Sequence, residues 1–129
     1  MIIVDTNSFD ISMTRGDTAQ IVFSAIDESG DNYSPNIGDV LTFSVAKKYG
    51  AEPLFSVSNT YNGDATAWWT ITIGEDEWES AKEKLGGVDM KFSDYVYDVQ
   101  ITTSTDVYTI IGKTDDISPR FRVWGEVAE

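Results

Sequence analysis

Apolar side chains alternate with polar ones along most of this 129-residue chain, and this period of two constrains the fold more than any other feature. Leu41, Phe43 and Val45, for example, are separated by Thr42 and Ser44. In a β-strand such alternation turns one set of side chains towards a core and the other towards solvent. The same pattern recurs in segments 9–14, 19–25, 55–57, 67–73, 95–101, 107–111 and 121–124. Short strands at this spacing predict an all-β fold, an antiparallel sandwich or a partly closed barrel, of which we favour the sandwich.

Two local signals refine this prediction. Asn62 and Gly63 form the dipeptide typical of a tight β-hairpin, which predicts that the strands on either side of them pair. Glu75–Leu85 breaks the strand pattern, because Trp78, Ala81 and Leu85 fall on one helical face. We therefore expect one short helix inserted in the sandwich, and a single domain over residues 1–129.

The composition excludes several classes of function. The chain has no cysteine and no histidine, so thiolate metal sites, disulfides and imidazole-based catalytic triads are absent. A formal net charge of −13 opposes binding to nucleic acid, which requires clustered Lys and Arg. No segment approaches the ~20 apolar residues of a membrane span, and the first residues do not resemble a signal peptide, so we expect synthesis in a cytoplasm without membrane insertion. We predict no catalytic residue, no metal and no cofactor.

The acidic residues are best explained by turns and solvated surface. A two-carboxylate glycosidase needs only a pair of acids at a defined separation, but here the acids lie mostly in turns and on the predicted helix. Asp27, Asp31 and Asp39 lack the spacing of a helix-loop-helix calcium loop, and turn chemistry explains the first two better. Arg15, Gly16 and Asp17 form a turn between two predicted strands and offer a candidate contact loop.

The aromatic residues outline a candidate contact surface. Alternation that turns Trp69 towards the core with Ile71 and Ile73 sends Trp68 to the opposite face. The outward residues of this and the last two predicted strands are Trp68, Tyr108, Ile110, Arg120, Arg122 and Trp124. Three interpretations stay open: a helix or loop covers them, they form a protein interface, or their rings stack on sugars.

Four motifs, in order along the chain, resemble small proteins of phages and prophages of Gram-positive bacteria that are related to the N-terminal domain of baseplate upper proteins. Met13–Ala25 reads MTRGDTAQIVFSA and contains the TRGDT turn that typically opens these proteins. Gly38–Val45 matches their Gly-Asp entry into an alternating strand, and a short acidic helix follows. Tyr95–Ile101 matches their Y-x-YDVQ strand, and Tyr108–Gly112 matches its hairpin partner.

The resemblance implies an immunoglobulin-like β-sandwich that serves as a non-enzymatic virion component of the tail or baseplate. The implied partners are other phage structural proteins, with self-association as an open alternative, and the implied location is the bacterial host cytoplasm and then the virion. The long region that follows the sandwich in baseplate upper proteins is not present in these 129 residues, which favours an assembly adaptor. The alternative function is a carbohydrate-binding module that uses exposed aromatic side chains.

Overall fold

The computed structural model describes residues 2–4, 9–14, 16–27, 29–74, 76–77, 92–115 and 117–124. Within these ranges the chain forms nine strands and one five-residue helix. The elements are β1 (Ile2–Val4), β2 (Ile11–Thr14), β3 (Ala19–Val22), β4 (Val40–Ala46), β5 (Pro53–Thr60), α1 (Ala65–Trp69), β6 (Thr70–Ile73), β7 (Phe92–Thr102), β8 (Val107–Ile111) and β9 (Arg120–Trp124). None of the helical segments in these ranges is long and apolar enough to cross a membrane.

The strands form two sheets. The large sheet has seven strands in the order β1-β2-β9-β7-β4-β5, and β8 pairs with the C-terminal part of β7. The small sheet consists of β3 and β6. All pairs are antiparallel except β2 and β9, which run parallel, so the large sheet is mixed. The predicted all-β, sandwich-like class is confirmed, with a parallel pair that the prediction of a purely antiparallel fold did not include.

The predicted alternation places the core on one face of the large sheet. On β4 and β7 the inward residues are buried, whereas those between them are partly exposed or exposed. The buried apolar residues form one cluster that includes residues of both sheets. They are Ile11, Met13, Ala19, Ile21, Phe23, Leu41, Phe43, Val45, Phe55, Trp68, Ile71, Ile73, Tyr95, Tyr97, Val99, Ile101, Phe121 and Val123. Burial of these side chains is the main source of stability in a chain without disulfides.

The predicted hairpin at Asn62 and Gly63 is wrong. β5 pairs with β4, while β6 pairs with β3 in the other sheet, and the chain passes between them through α1. Asp64 is the N-cap of this helix, because its carboxylate accepts a hydrogen bond from the backbone N–H of Ala67 at 3.1 Å. At the other end, the side-chain amide of Asn59 donates to the carbonyls of Ala67, Trp68 and Thr70. The segment therefore changes sheets instead of turning back.

The predicted helix Glu75–Leu85 lies largely outside the described residues. Asp76 and Glu77 are helical, and the Glu77 carboxylate accepts a hydrogen bond from the backbone N–H of Gly74 at 2.7 Å. A carboxylate that bonds back to the N-terminal backbone is one half of a capping box.

The predicted turns at Asp17 and Asp27 are present. The backbone N–H of Asp17 donates to the carbonyl of Thr14, and Gly16 has a φ of 92° that favours glycine. This turn joins β2 of the large sheet to β3 of the small one, so it crosses between the layers. The Asp27 carboxylate accepts hydrogen bonds from the backbone N–H groups of Ser29 and Asp31, which is turn chemistry.

Candidate contact surface

The outer face of the large sheet divides into two parts along β7. At the N-terminal end of β7, neighbouring strands bring together the residues that we call the Trp124 patch: Ser12, Asp94, Arg120, Arg122 and Trp124. Ser12 and Asp94 are both direct cross-strand partners of Arg122. The predicted outward orientation of the three β9 residues is confirmed, because Phe121 and Val123 between them are fully buried.

The arginines of the Trp124 patch are held by one carboxylate. The Arg122 guanidinium donates two hydrogen bonds to Asp94, with Nε–Oδ1 at 2.7 Å and Nη2–Oδ2 at 3.0 Å. Arg120 lies 3.7 Å from the same carboxylate. The hydrogen bonds from Arg122 hold the pKa of Asp94 below its ordinary value. Asp10 adjoins the same arginines, because its carboxylate accepts a hydrogen bond from the backbone N–H of Arg120 at 3.0 Å. Two acidic and two basic residues therefore meet at this patch.

Trp124 gives the patch an oriented aromatic ring. Its indole N–H donates to the Ser12 hydroxyl at 3.0 Å, and 37% of the residue is exposed. Tryptophan and arginine are the residue types most enriched among the energetically dominant residues of protein interfaces. Because hydrogen bonds already orient both side chains, less of their conformational freedom remains to be lost on binding.

The second part of the outer face is almost uncharged, and we call it the hydroxyl face. Its residues come from four adjacent strands and are Thr42, Ser44, Ser56, Ser58, Asp98, Gln100, Thr102 and Thr109. The hydroxyl oxygens of Thr42 and Ser58 are 3.1 Å apart, and those of Ser44 and Ser56 are 2.9 Å apart. These contacts align the side chains in rows across the strands.

Asp98 is the one charged residue of the hydroxyl face. Burial raises the pKa of its carboxyl above the ordinary value of 3.8. Its direct neighbour on β4 is Ser44, and within the described part of the chain the carboxylate has neither a hydrogen bond nor a salt bridge. Asp98 is thus a partly buried carboxylate on a polar surface, and Lys48 lines the same small pocket of about 80 Å³.

Trp68 does not belong to this surface, contrary to the prediction. It is only 2% exposed, its indole N–H donates to the carbonyl of Asp39 at 3.1 Å, and it stacks on Tyr33. The predicted burial of Trp69 is only partial. The reason is the helical turn of α1, in which consecutive side chains no longer point to opposite faces as they would in a strand.

The buried Trp68 belongs to a network around Asp39. This aspartate is 4% exposed, and its carboxylate accepts hydrogen bonds from the Tyr33 hydroxyl at 2.8 Å and from the Asn36 backbone N–H at 3.0 Å. Burial, together with the bond to Asp39, raises the pKa of Tyr33 to about 12. The network ties the loop before β4 to α1, which is a structural role.

Tyr108 and Ile110 also lie elsewhere than predicted. Tyr108 is the cross-strand partner of the fully buried Ile101, so it shares the core-side face and not that of Trp124. A register shift between β7 and β8 breaks the simple alternation, and Ile110 packs against the core. Tyr108 remains 48% exposed and lines an open cleft of about 470 Å³ with residues that include Tyr33, Asp39, Ser104 and Asp106.

The second predicted contact site, the loop of Arg15, Gly16 and Asp17, is described only in part. Gly16 is exposed and Asp17 is half-buried, whereas Arg15 lies outside the described residues. Its role as a contact loop stays a prediction.

The sequence alone does not predict the hydroxyl face, because no single residue of it is unusual. The signal that was present is the choice of small hydroxyl residues at the outward positions of β4 and β5, which alternation identifies correctly. No protein-family model matches the chain, and no curated protein matches it. The inference of function thus depends on the sequence motifs and on this surface.

Proposed function

We propose that this protein is a non-enzymatic structural component of a phage or prophage virion, an assembly adaptor of the tail or baseplate that acts by protein contact. The ordered resemblance of four sequence motifs supports the phage assignment. The observation that supports a contact role is the Trp124 patch, in which an exposed tryptophan adjoins arginines held by Asp94.

The chemistry of the patch suits recognition by a partner protein. The ring of Trp124 offers a large apolar contact area, and Arg120 extends beside it with 58% of its side chain exposed. A ring and a guanidinium already held in place form an anchor of the kind that interfaces use at their centres. The partners that we propose are other virion proteins of the same phage, or a second copy of this chain.

Binding to the products of the genes that flank its own tests this proposal directly. Each purified product is titrated with the protein by calorimetry, and self-association is measured by light scattering coupled to gel filtration. We expect at least one binding partner and a loss of affinity of about tenfold or more for Trp124→Ala, the size typical of an interface anchor.

The matched control is Val22→Ala, since Val22 is exposed on the small sheet. It should bind as the wild type does. A protein that stays monomeric and binds none of these products would refute the proposal.

Carbohydrate binding is the second candidate, and the cleft beside Tyr108 is the observation that favours it. There a half-exposed phenol ring lies beside Ser104, Thr105 and Asp106, whose oxygens suit sugar hydroxyls. A glycan panel followed by protein-detected NMR tests this function, with Tyr108→Ala and Trp124→Ala separating the cleft from the patch. Absence of binding across the panel would exclude it.

A further inference from the structure

We propose that Asn62 is a site of spontaneous covalent modification in the folded protein. The backbone nitrogen of Gly63 displaces the side-chain amide of Asn62 as ammonia, and the isoaspartyl product loosens the connection between β5 and α1. This inference is independent of the proposed contact function, because it concerns the segment in which the chain crosses from the large sheet to the small one.

The reaction needs only water and proceeds in two steps. The backbone nitrogen of Gly63 loses its proton and forms a bond to the side-chain carbonyl carbon of Asn62. The bond from that carbon to the amide nitrogen breaks, and the departing group takes up a proton and leaves as ammonia, so that a five-membered succinimide ring remains. Water then opens the ring. Opening at the side-chain carbonyl gives aspartate, whereas opening at the backbone carbonyl gives isoaspartate, whose main chain is one atom longer.

Gly63 removes the main steric obstacle to this attack. The nitrogen of the following residue must approach the asparagine side chain closely, and a Cβ on that residue would crowd the approach. Gly63 has no Cβ, and its φ of 115° is a conformation that glycine adopts readily. Among the asparagines in the described ranges, Asn62 alone precedes a glycine, whereas Asn32, Asn36 and Asn59 precede Tyr33, Ile37 and Thr60.

The two groups that react are accessible. Asn62 and Gly63 are both exposed, and within the described part of the chain neither the Asn62 side chain nor the Gly63 N–H forms a hydrogen bond. The side-chain amide of Asn59, by contrast, is held by bonds to three carbonyls. At Asn32 the other partner is engaged, because the N–H of Tyr33 donates to a backbone carbonyl at 2.9 Å. The fold therefore restrains these asparagines and leaves Asn62 able to react.

The position of Asn62 makes the isoaspartyl product disruptive. On one side, Tyr61 is hydrogen-bonded through both its N–H and its carbonyl to the segment before β4. On the other side, Asp64 caps α1 through its bond to the N–H of Ala67. We expect an additional main-chain atom between these two anchored points to shift the cap, and with it the contact between the rings of Tyr61 and Trp68.

The test incubates the purified full chain for several weeks at physiological temperature, at a series of pH values from mildly acidic to alkaline. Peptide mass spectrometry locates each conversion of an amide to an acid, and labelling by an isoaspartyl methyltransferase detects the isoaspartyl product. We expect conversion at Asn62, faster at higher pH because the attacking nitrogen must lose its proton. Over the same time we expect no conversion at Asn36, which is exposed but precedes a β-branched residue, or at Asn59.

Two variants provide matched controls. Asn62→Gln keeps a side-chain amide but would have to close a six-membered ring, so it should show neither the mass change nor the label at position 62. Asn62→Asp carries the charge of the product without the additional main-chain atom. The deamidated fraction of the wild type, separated by ion exchange, should therefore have a lower melting temperature than Asn62→Asp.

Each part of the proposal can fail separately. If the folded chain keeps Asn62 intact while the chain unfolded in urea loses the amide, the fold protects the site and the proposal is overturned. Conversion of Asn36 or Asn59 at the same rate would refute the roles given to Gly63 and to the bonds of Asn59. Aspartate without isoaspartate would refute the succinimide route, and equal melting temperatures would refute the loosened connection.

Discussion

Replacing Trp68 by phenylalanine tests the placement of the tryptophan pair in α1. Trp68 is 2% exposed, whereas its neighbour Trp69 is only partly buried. If this segment were a strand, as the sequence pattern predicts, Trp69 would be buried and Trp68 would be exposed. Trp68→Phe and Trp69→Phe are chemically identical changes at adjacent positions. The structure predicts that Trp68→Phe destabilises the fold more, whereas a strand would predict the larger loss for Trp69→Phe.

The expected cost of Trp68→Phe has two parts. The indole N–H bond to the Asp39 carbonyl is lost, which costs about 1 kcal/mol net, since that carbonyl keeps its bond from the Tyr61 N–H. The smaller ring leaves a void worth about 1 kcal/mol, well below the ~3–5 kcal/mol for truncation of a buried tryptophan to alanine. The sum lowers the free energy of unfolding by about 2 kcal/mol. Trp69→Phe should cost less than about 1 kcal/mol.

Urea unfolding followed by far-UV circular dichroism measures both variants without depending on tryptophan fluorescence. With a slope of ~1–3 kcal/mol per molar urea, Trp68→Phe should lower the midpoint by about 1 M and Trp69→Phe by clearly less. Equal midpoints, or a larger loss for Trp69→Phe, would refute the reasoning that places Trp68 inside.

Three further predictions follow from single contacts. Asn59→Asp should destabilise the fold by about 2 kcal/mol, because a carboxylate would replace the amide that donates to three carbonyls at the end of α1. Thermal unfolding measures this loss, and an unchanged melting temperature would contradict the role of Asn59. Arg122→Ala should cost less than about 1 kcal/mol at pH 7, and the cost should shrink as the pH falls below 3.8, because the lowered pKa of Asp94 gives a stabilisation that is lost as the pH falls through the folded-state pKa. Urea unfolding over a series of pH values measures it. A cost that does not change with pH would contradict an electrostatic origin. Asp98→Asn should raise the melting temperature at pH 7 and lose this advantage below pH 3.8, because the raised pKa of Asp98 means that its ionised carboxyl destabilises the fold. Thermal unfolding at pH 7 and at pH 3 measures the difference between variant and wild type. A lower melting temperature of the variant at pH 7 would contradict this reasoning.

The sequence predicts those parts of the fold in which each strand has two different environments. On β4 and β7 every second residue is apolar, and the structure buries those residues because one face packs and the other does not. The same holds for Phe121 and Val123 on β9, which is why the orientation of Trp124 was predicted correctly. The alternation within one strand predicts which of its residues face the core, whichever strands are its neighbours.

The rest depends on contacts between distant parts of the chain. α1 is too short to show a helical period, and Asn59, which holds its C-terminal end, comes from β5. The orientation of Tyr108 depends on a register shift that two strands produce together. The hydroxyl face, likewise, exists only because β5, β4, β7 and β8 are adjacent, and strand order cannot be inferred from a pattern that every strand shares.

The parallel pairing of β2 with β9 has a consequence for how this protein comes into being. β9 is inserted between β2 and β7, so the N-terminal strands join the large sheet only through a strand formed more than a hundred residues later. During synthesis, Ile11 and Met13 can pair only with β1 until Phe121 and Val123 have emerged. The large sheet is therefore complete only after β9 has been synthesised, which makes β2–β9 one of its most non-local pairings.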